Sequence, residues 1–299
     1  MSRGSTRAIL CIGAAHWDLV ARAHAALPPG ADVPGHVETR PGGVALNIAI
    51  ALASRAVRPL LLSVIGEDAS GRALIATAEA RGVDCTHVTR THHPTGRYVA
   101  LEGPEGALHA AVADVALLEA TGGDILAPLA TGRIPKPFRG LALIDGNLAP
   151  SAIAEILATG YLAEADIRLA PASPEKAYRL LPLLAAGGAI YANLAEAEVL
   201  AGTPLPHADA AAEALLALGA RAALVTDGPR PAAWATPART IRALPPPVRQ
   251  KSVTGAGDIL AAAHIAAETT AQTDWDALRR ALRVAAWHVA GSPAGGGLP

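Results

Sequence analysis

Short apolar runs and longer stretches with helical spacing alternate along the chain. Residues 8–12 form the first apolar run and stop at Gly13, the pattern of a buried strand that opens into a loop. Residues 44–56 carry apolar side chains at helical spacing behind Gly42-Gly43, and 60–65 read as a second buried strand ending at Gly66. A helix is predicted over 70–81, stopped by Gly82. The rhythm returns downstream, with strands over 141–144, 167–169, 189–192 and 222–225. Helices are predicted between and after them, over 151–158, 174–184, 195–201, 208–218, 257–269 and 275–290. Alternation of this kind predicts an α/β fold with a mainly parallel central sheet.

Segments 33–40 and 97–115 break the rhythm. Both have more polar alternation, and the second contains Gly103-Pro104 and Gly106. They read as antiparallel hairpin strands, an excursion from the main sheet. Residues 226–245 continue in a β-like pattern, and the glycine- and proline-rich tail after 290 reads as mobile. With no internal repeat and no long linker, the expectation is one domain over 1–299 with lid segments at about 14–40 and 95–115.

Composition narrows the function classes. The chain has 299 residues, 51% of them hydrophobic and 17% charged, which excludes disorder and supplies a large core. A net charge of −1 gives no basic face for nucleic acid, and 3% aromatics give no platform for stacked bases. Cys11 and Cys85 are not a CxxC pair and read as buried small hydrophobes in a reducing compartment. Arg3 and Arg7 precede an apolar stretch, but His16 and Asp18 interrupt it, and no membrane-length apolar run follows. A cytoplasmic protein is expected.

The strongest chemical signal is Thr254-Gly255-Ala256-Gly257-Asp258 at the head of an apolar helix. Glycines there allow a tight turn, and the exposed N–H groups with the positive helix end form an anion site. Asp258 in the first turn reads either as a cap or as a general base beside that site. Gly42-Gly43 with Asn47 allows close backbone approach and offers donor and acceptor to a diol. Asp18 follows the first strand, where parallel α/β sheets bind ligands. Asn193 and Glu196 have capping-box spacing, which explains them structurally, and Glu196 is also a candidate to order magnesium-bound water. Thr226 and Gly228 close another strand, as an ordinary turn or as nucleotide contacts. No GxxxxGK[ST] loop, GxSxG elbow or HExxH pair is present.

In order and spacing, these pieces resemble the ribokinase-like (PfkB) carbohydrate and nucleoside kinases over almost the whole chain. The match includes Gly13 to Asp18, Gly42-Gly43 with Asn47, Gly66-Glu67-Asp68 with Gly71, Asn193 with Glu196, Thr226 with Gly228, and Gly255 to Asp258. The resemblance implies a three-layer α/β/α domain with a small β lid that often also forms a dimer surface. It implies an ATP- and Mg²⁺-dependent kinase and leaves a monovalent cation open, while the charge and the lack of a membrane-length run already disfavour nucleic-acid and membrane partners. Asp258 would be the base, with Gly255, Ala256 and Gly257 as the anion hole. Asp18, Gly42, Gly43 and Asn47 would hold sugar hydroxyls, Asn193, Thr226, Gly228 and Thr254 would serve ATP, and Glu196 would reach the metal through water. Segments 98–114, 144–148 and 172–177 are most similar to pseudouridine kinases, which adds Tyr98, Asp114 and Lys176 as substrate contacts. A nucleoside phosphorylated on its 5′-hydroxyl is therefore the leading expectation. A sugar kinase for ribose, fructose or a keto-deoxy acid stands second, and a non-catalytic nucleoside-binding regulator third. Ser252 and Ile259-Leu260 depart from the family pattern beside the anion site.

Overall fold

The computed structural model describes residues 8–55, 57–251, 253–268 and 270–291; Ser252 and the tail beyond 291 lie outside the described residues. The first half contains β1 (Ile9–Ile12), β2 (His16–Ala23), β3 (Gly35–Gly42), α1 (Val44–Ala53), β4 (Pro59–Leu62), β5 (Val64–Gly66) and α2 (Ala69–Ala80). It continues through β6 (Thr89–Thr91), β7 (Arg97–Glu102), β8 (Leu108–Asp114), α3 (Ala116–Thr121) and α4 (Ala127–Ala130). The second half contains β9 (Leu141–Asp145), α5 (Pro150–Thr159), β10 (Asp166–Ala170), α6 (Pro174–Ala177), α7 (Leu181–Ala185), β11 (Ala189–Asn193) and α8 (Leu194–Ala201). It closes with α9 (Ala208–Ala217), β12 (Ala222–Asp227), β13 (Arg230–Thr236), β14 (Arg239–Ala243), α10 (Ala256–Glu268) and α11 (Asp274–Val289).

Eight strands form the main sheet in the order β14-β13-β12-β11-β10-β9-β1-β4. From β12 to β4 the pairings are parallel, and β13 and β14 complete one edge as an antiparallel hairpin. Both faces are covered, so alternate residues of one strand enter different cores. Leu10, Ile12, Ala142 and Ile144 pack with α5, α8 and α9 on one side. Ile9, Cys11, Leu141 and Leu143 pack with α1, α10 and α11 on the other. That double burial is why the central strands read as unbroken apolar runs. It is the expected α/β/α arrangement.

A second sheet, ordered β3-β2-β7-β8, is the lid. Its two outer pairings are antiparallel as expected, but β2 and β7 pair in parallel, so the lid is a mixed sheet rather than a set of hairpins. Parallel pairing needs a long crossover, here the α1–α2 region, and short-range periodicity cannot show it. The apolar run over 60–65 is also divided: β4 joins the main sheet, whereas β5 pairs with β6. The helix expected over 174–184 is broken into α6, a 3₁₀ turn at Tyr178–Leu180 and α7. Pro182 lacks the N–H a continuous helix needs and sits instead in the first turn of α7.

Candidate active site

Parallel strands point their carboxyl ends to one edge of the sheet, and most of the chemistry-bearing residues lie along it. Gly13 follows β1, Asp145 ends β9, Asn193 ends β11 and Asp227 ends β12. A hollow of about 250 Å³ lined by Ile156, Leu162, Leu183 and Arg221 sits instead by α5 and α7 and contains none of the candidate site residues.

The lid enters the main body through Gly42-Gly43. Gly43 caps α1 with φ 95°, and an added Cβ would overlap the Ala14 carbonyl. Gly43 has no side chain to cap the helix, and Asp145 supplies the missing acceptor from β9. Its Oδ2 accepts the Ala14 N–H at 2.8 Å and the Ala45 N–H at 3.0 Å, and its Oδ1 accepts the Asn147 N–H at 2.8 Å. At Gly42 a Cβ would fall on the Asp18 carboxylate. Asp18 is buried on β2, with His16 Nδ1 at 3.3 Å and Arg40 Nε at 3.8 Å.

Asn47 lies in the first turn of α1 and links the two ends of the site. Its Nδ2 donates to Asp258 Oδ2 at 2.9 Å, across a separation of 211 residues. Asp258 begins α10 just after Gly255, which takes φ 78°. The Ala256 N–H is used by the Val253 carbonyl at 3.1 Å, and the first α10 bond runs from Ile259 to the Gly255 carbonyl at 3.0 Å. The N–H groups of Gly257 and Asp258 therefore have no helical carbonyl behind them, which leaves them available to an anion. Of the expected anion hole, Ala256 is the member whose donor the turn consumes. Asp258 keeps part of its surface accessible, yet it sits deep within the protein mass. Burial is the main cause that pushes its carboxyl up to about 7; Asn47 opposes it, while Asp145, Glu196 and Asp18 add to it.

Asn193 and Glu196 form the capping box expected from their spacing. Asn193 Oδ1 accepts the Glu196 N–H and Glu196 Oε2 accepts the Asn193 N–H, both at 2.9 Å. Burial raises the Glu196 carboxyl to about 7, against the pull of the Asn193 N–H and with help from Glu175. Thr226 stands beside Asn193 in register, and Gly228 turns at φ 57° between β12 and β13. Lys176 donates to Asn147 Oδ1 at 2.8 Å, which connects α6 to the Asp145 cluster. Tyr98 lies beside Asp18 in the lid register, and its hydroxyl is pushed up first by burial and then by Asp18.

Thr254 is placed by its carbonyl, which accepts from His288 Nε2 at 2.9 Å. Asp114 is not gathered into the cleft. It pairs with Arg97, so strand alternation puts it on the lid face opposite Tyr98 and Asp18. Ile259 and Leu260 are buried in the core beneath α10, which accounts for their bulk. Arg40 and His288 were not assigned to the site from the sequence, and Asp145 entered only as part of segment 144–148. Only Asp145 had a usable signal, a carboxylate at the carboxyl end of a central strand.

With this geometry in place, comparison with known proteins assigns the class. The pfkB family carbohydrate kinase pattern matches residues 6–299, and the chain belongs to that family: it is an ATP-dependent phosphotransferase with an alcohol acceptor. Among individual proteins, it is 26% identical over 269 residues to the pseudouridine kinase of Escherichia coli strain K12, covering 85% of this chain and 81% of the other. A carbohydrate kinase from Agrobacterium tumefaciens is 26% identical with a TM-score of 0.77, covering 94% of this chain and 90% of that one. A ribokinase from Thermotoga maritima shares the fold at 19% identity and a TM-score of 0.77, covering 97% and 95%.

The raised Asp258 carboxyl carries a sign for stability. Its folded value of about 7 lies above the unfolded value of about 3.9. Native structure favours the protonated form, so the stabilisation it gives is complete below pH 4 and is lost as pH rises towards 7. Asp258→Asn is therefore expected to gain urea resistance over wild type at pH 8, with a smaller gain at pH 5. Urea midpoints of both proteins at both pH values test this; an equal difference at the two would contradict the shifted carboxyl.

Proposed function

We propose that this kinase transfers the γ-phosphoryl group of ATP to the 5′-hydroxyl of a nucleoside, with pseudouridine as the leading acceptor. The carrying observation is the Asn47–Asp258 bond, which sets a carboxyl of raised basicity beside the α10 N-terminus and next to the lid-side residues Asp18, Gly42 and Gly43. Asp258 takes the proton of the acceptor hydroxyl, and a carboxylate near pKa 7 suits that task at neutral pH. The Gly257 and Asp258 N–H groups hold the charge that develops on the transferred group. Asp18 and Asn47 orient the sugar hydroxyls, and Tyr98 lies on the lid face above them. The chain works as one kinase unit in which lid closure keeps water from competing as acceptor.

ATP would lie along Asn193, Thr226 and Gly228. Among the described residues there is no cluster of three or more metal-ligating side chains. Mg²⁺ keeps several waters and takes its other oxygens from phosphates, so one carboxylate would be enough to meet it. Glu196 commits Oε2 to the capping box, leaving Oε1 for one such water. Bound there, Mg²⁺ would neutralise charge on the transferred group.

The pseudouridine kinase similarity favours a nucleoside. A sugar acceptor is favoured by the lid itself: of its two aromatic side chains, Trp17 donates Nε1–H to the Ser70 carbonyl at 3.0 Å, leaving only Tyr98 to meet a base. The outer lid face is apolar and exposed, with Val99 opposite Val112 and with Val37 and Leu101 also on it. It supports a homodimer formed through the lid.

Asp258→Asn is expected to lose about 10²–10⁴-fold in turnover while still binding ATP; near-normal turnover would remove Asp258 as the base. Phosphate transfer to pseudouridine, uridine, ribose, fructose and a keto-deoxy acid separates the acceptors, and a clear preference for free ribose would overturn the nucleoside reading. Sedimentation is expected to show a dimer that Val112→Glu converts to a monomer. A monomeric wild type would end the lid-dimer proposal.

A further inference from the structure

The anion site is built at the end of a strap that carries Lys251 and residues 253–255, and the strap is held from one side. The end of α11 grips it twice. The Lys251 N–H donates to the Val289 carbonyl at 2.9 Å, and His288 Nε2 bonds the Thr254 carbonyl at 2.9 Å. A carbonyl only accepts, so Nε2 carries the proton. His288 belongs to the last turn of α11, whose N-terminus is fixed separately by Thr273 capping the Asp276 N–H at 3.1 Å. Helices α10 and α11 pack together through Ile265, Leu278, Ala281 and Leu282. His288 thus reaches the strap from a rigid, anchored element rather than from a loop.

The Thr254 carbonyl and the Gly255 N–H belong to one peptide group. In a trans peptide these two point in opposite directions. Holding the carbonyl towards α11 therefore fixes the Gly255 N–H away from it and sets the plane from which Gly255 turns at φ 78° into α10. A glycine at that φ imposes little preference of its own, so the peptide needs an external restraint to hold one orientation. The imidazole also lies near Gly255 itself, with Nε2 3.6 Å from where a Cβ would stand. Two residues further on are Gly257 and then Asp258.

We infer that His288 is a positioning residue for phosphoryl transfer: by holding the Thr254 carbonyl, it fixes the Gly255 turn and with it the direction of the α10 N–H groups and of Asp258. This rests on the reading that residues 255–258 carry the transfer. It adds a residue that touches neither acceptor nor nucleotide. The gain is preorganisation, since donors already aimed at the developing charge need no rearrangement in the transition state. Such a residue acts on kcat, because the acceptor contacts at Asp18, Gly42 and Asn47 are made by other elements.

His288→Phe keeps the ring and removes the donor, whereas His288→Gln keeps an N–H donor of similar reach. For His288→Phe the expected result is a fall in kcat of about tenfold or more, with KM for acceptor and ATP within about twofold, as for a small misplacement of reacting groups. His288→Gln is expected to recover most of kcat. Amide hydrogen exchange at 253–258 should quicken in the Phe variant and return towards wild type in the Gln variant. Wild-type kcat in His288→Phe overturns the role, as does a tenfold loss in a folded Gln variant; the latter decides the matter even if the Phe variant does not fold. Asp258→Asn run in parallel separates the two readings. If it stays active, the assignment of residues 255–258 fails; if it is inactive while His288→Phe matches wild type, only the positioning role fails.

Discussion

A single buried carboxylate holds the site edge of this protein together. Asp145 ends the central strand β9 and receives backbone N–H groups from the β1 loop, from the first turn of α1 and from its own turn. Burial pushes its carboxyl above the usual range, and the three N–H groups pull in the opposite direction. Hydrogen bonds to a charged group contribute about 1.5–3 kcal/mol each. Three of them offset part of an effective burial cost of several kcal/mol for one ion, and the net push on the carboxyl stays upward. Any other acceptor geometry would leave the Ala45 N–H at the head of α1 unpaired, because Gly43 cannot cap it. The position of α1, and through it of Asn47, follows from that constraint.

From Asn47 the constraint passes to the reacting end of the site. Asp258 is held by one hydrogen bond from α1 and feels the fields of Asp145, Glu196 and Asp18. Burial is what chiefly raises the Asp258 and Glu196 carboxyls, and acidic neighbours add to it: Asp145, Glu196 and Asp18 around Asp258, Glu175 beside Glu196. A carboxyl so raised suits the proposed role of Asp258, which needs a carboxylate basic enough to accept a proton near neutrality. The near-zero net charge of the chain agrees with the proposal that phosphates are met by backbone N–H groups and a metal rather than by a basic surface.

Local regularities were legible in the sequence. Apolar runs marked β1, β9, β11 and β12 because strands buried on both faces have no polar alternation. Asn193 with Glu196 announced a capping box, which formed as the spacing required. The turn at Gly255 and the Asp258 helix start were equally plain. Other features depended on distant partners. The parallel β2–β7 pairing joins strands separated by a helix-bearing crossover, and Asp114 was assigned to the cleft until register and alternation placed it on the other lid face. His288 carried no signal at all, because a histidine at a helix end looks the same whether it faces solvent or a carbonyl 34 residues away.

The sequence by itself determined the α/β alternation of the main body, the capping box, the glycine turns and the types of candidate site groups. These rest on steric limits and hydrogen bonds within a few residues, so a local pattern encodes them. Only the tertiary structure decided which groups meet: Asn47 with Asp258, Asp145 with the head of α1, and His288 with the strap before Gly255. Those contacts join residues far apart in the chain, and they form only because two packed cores bring the strand ends and helix ends to one edge. Basicity followed the same division, since the Asp258 carboxyl owes its shift first to burial, which no stretch of sequence contains.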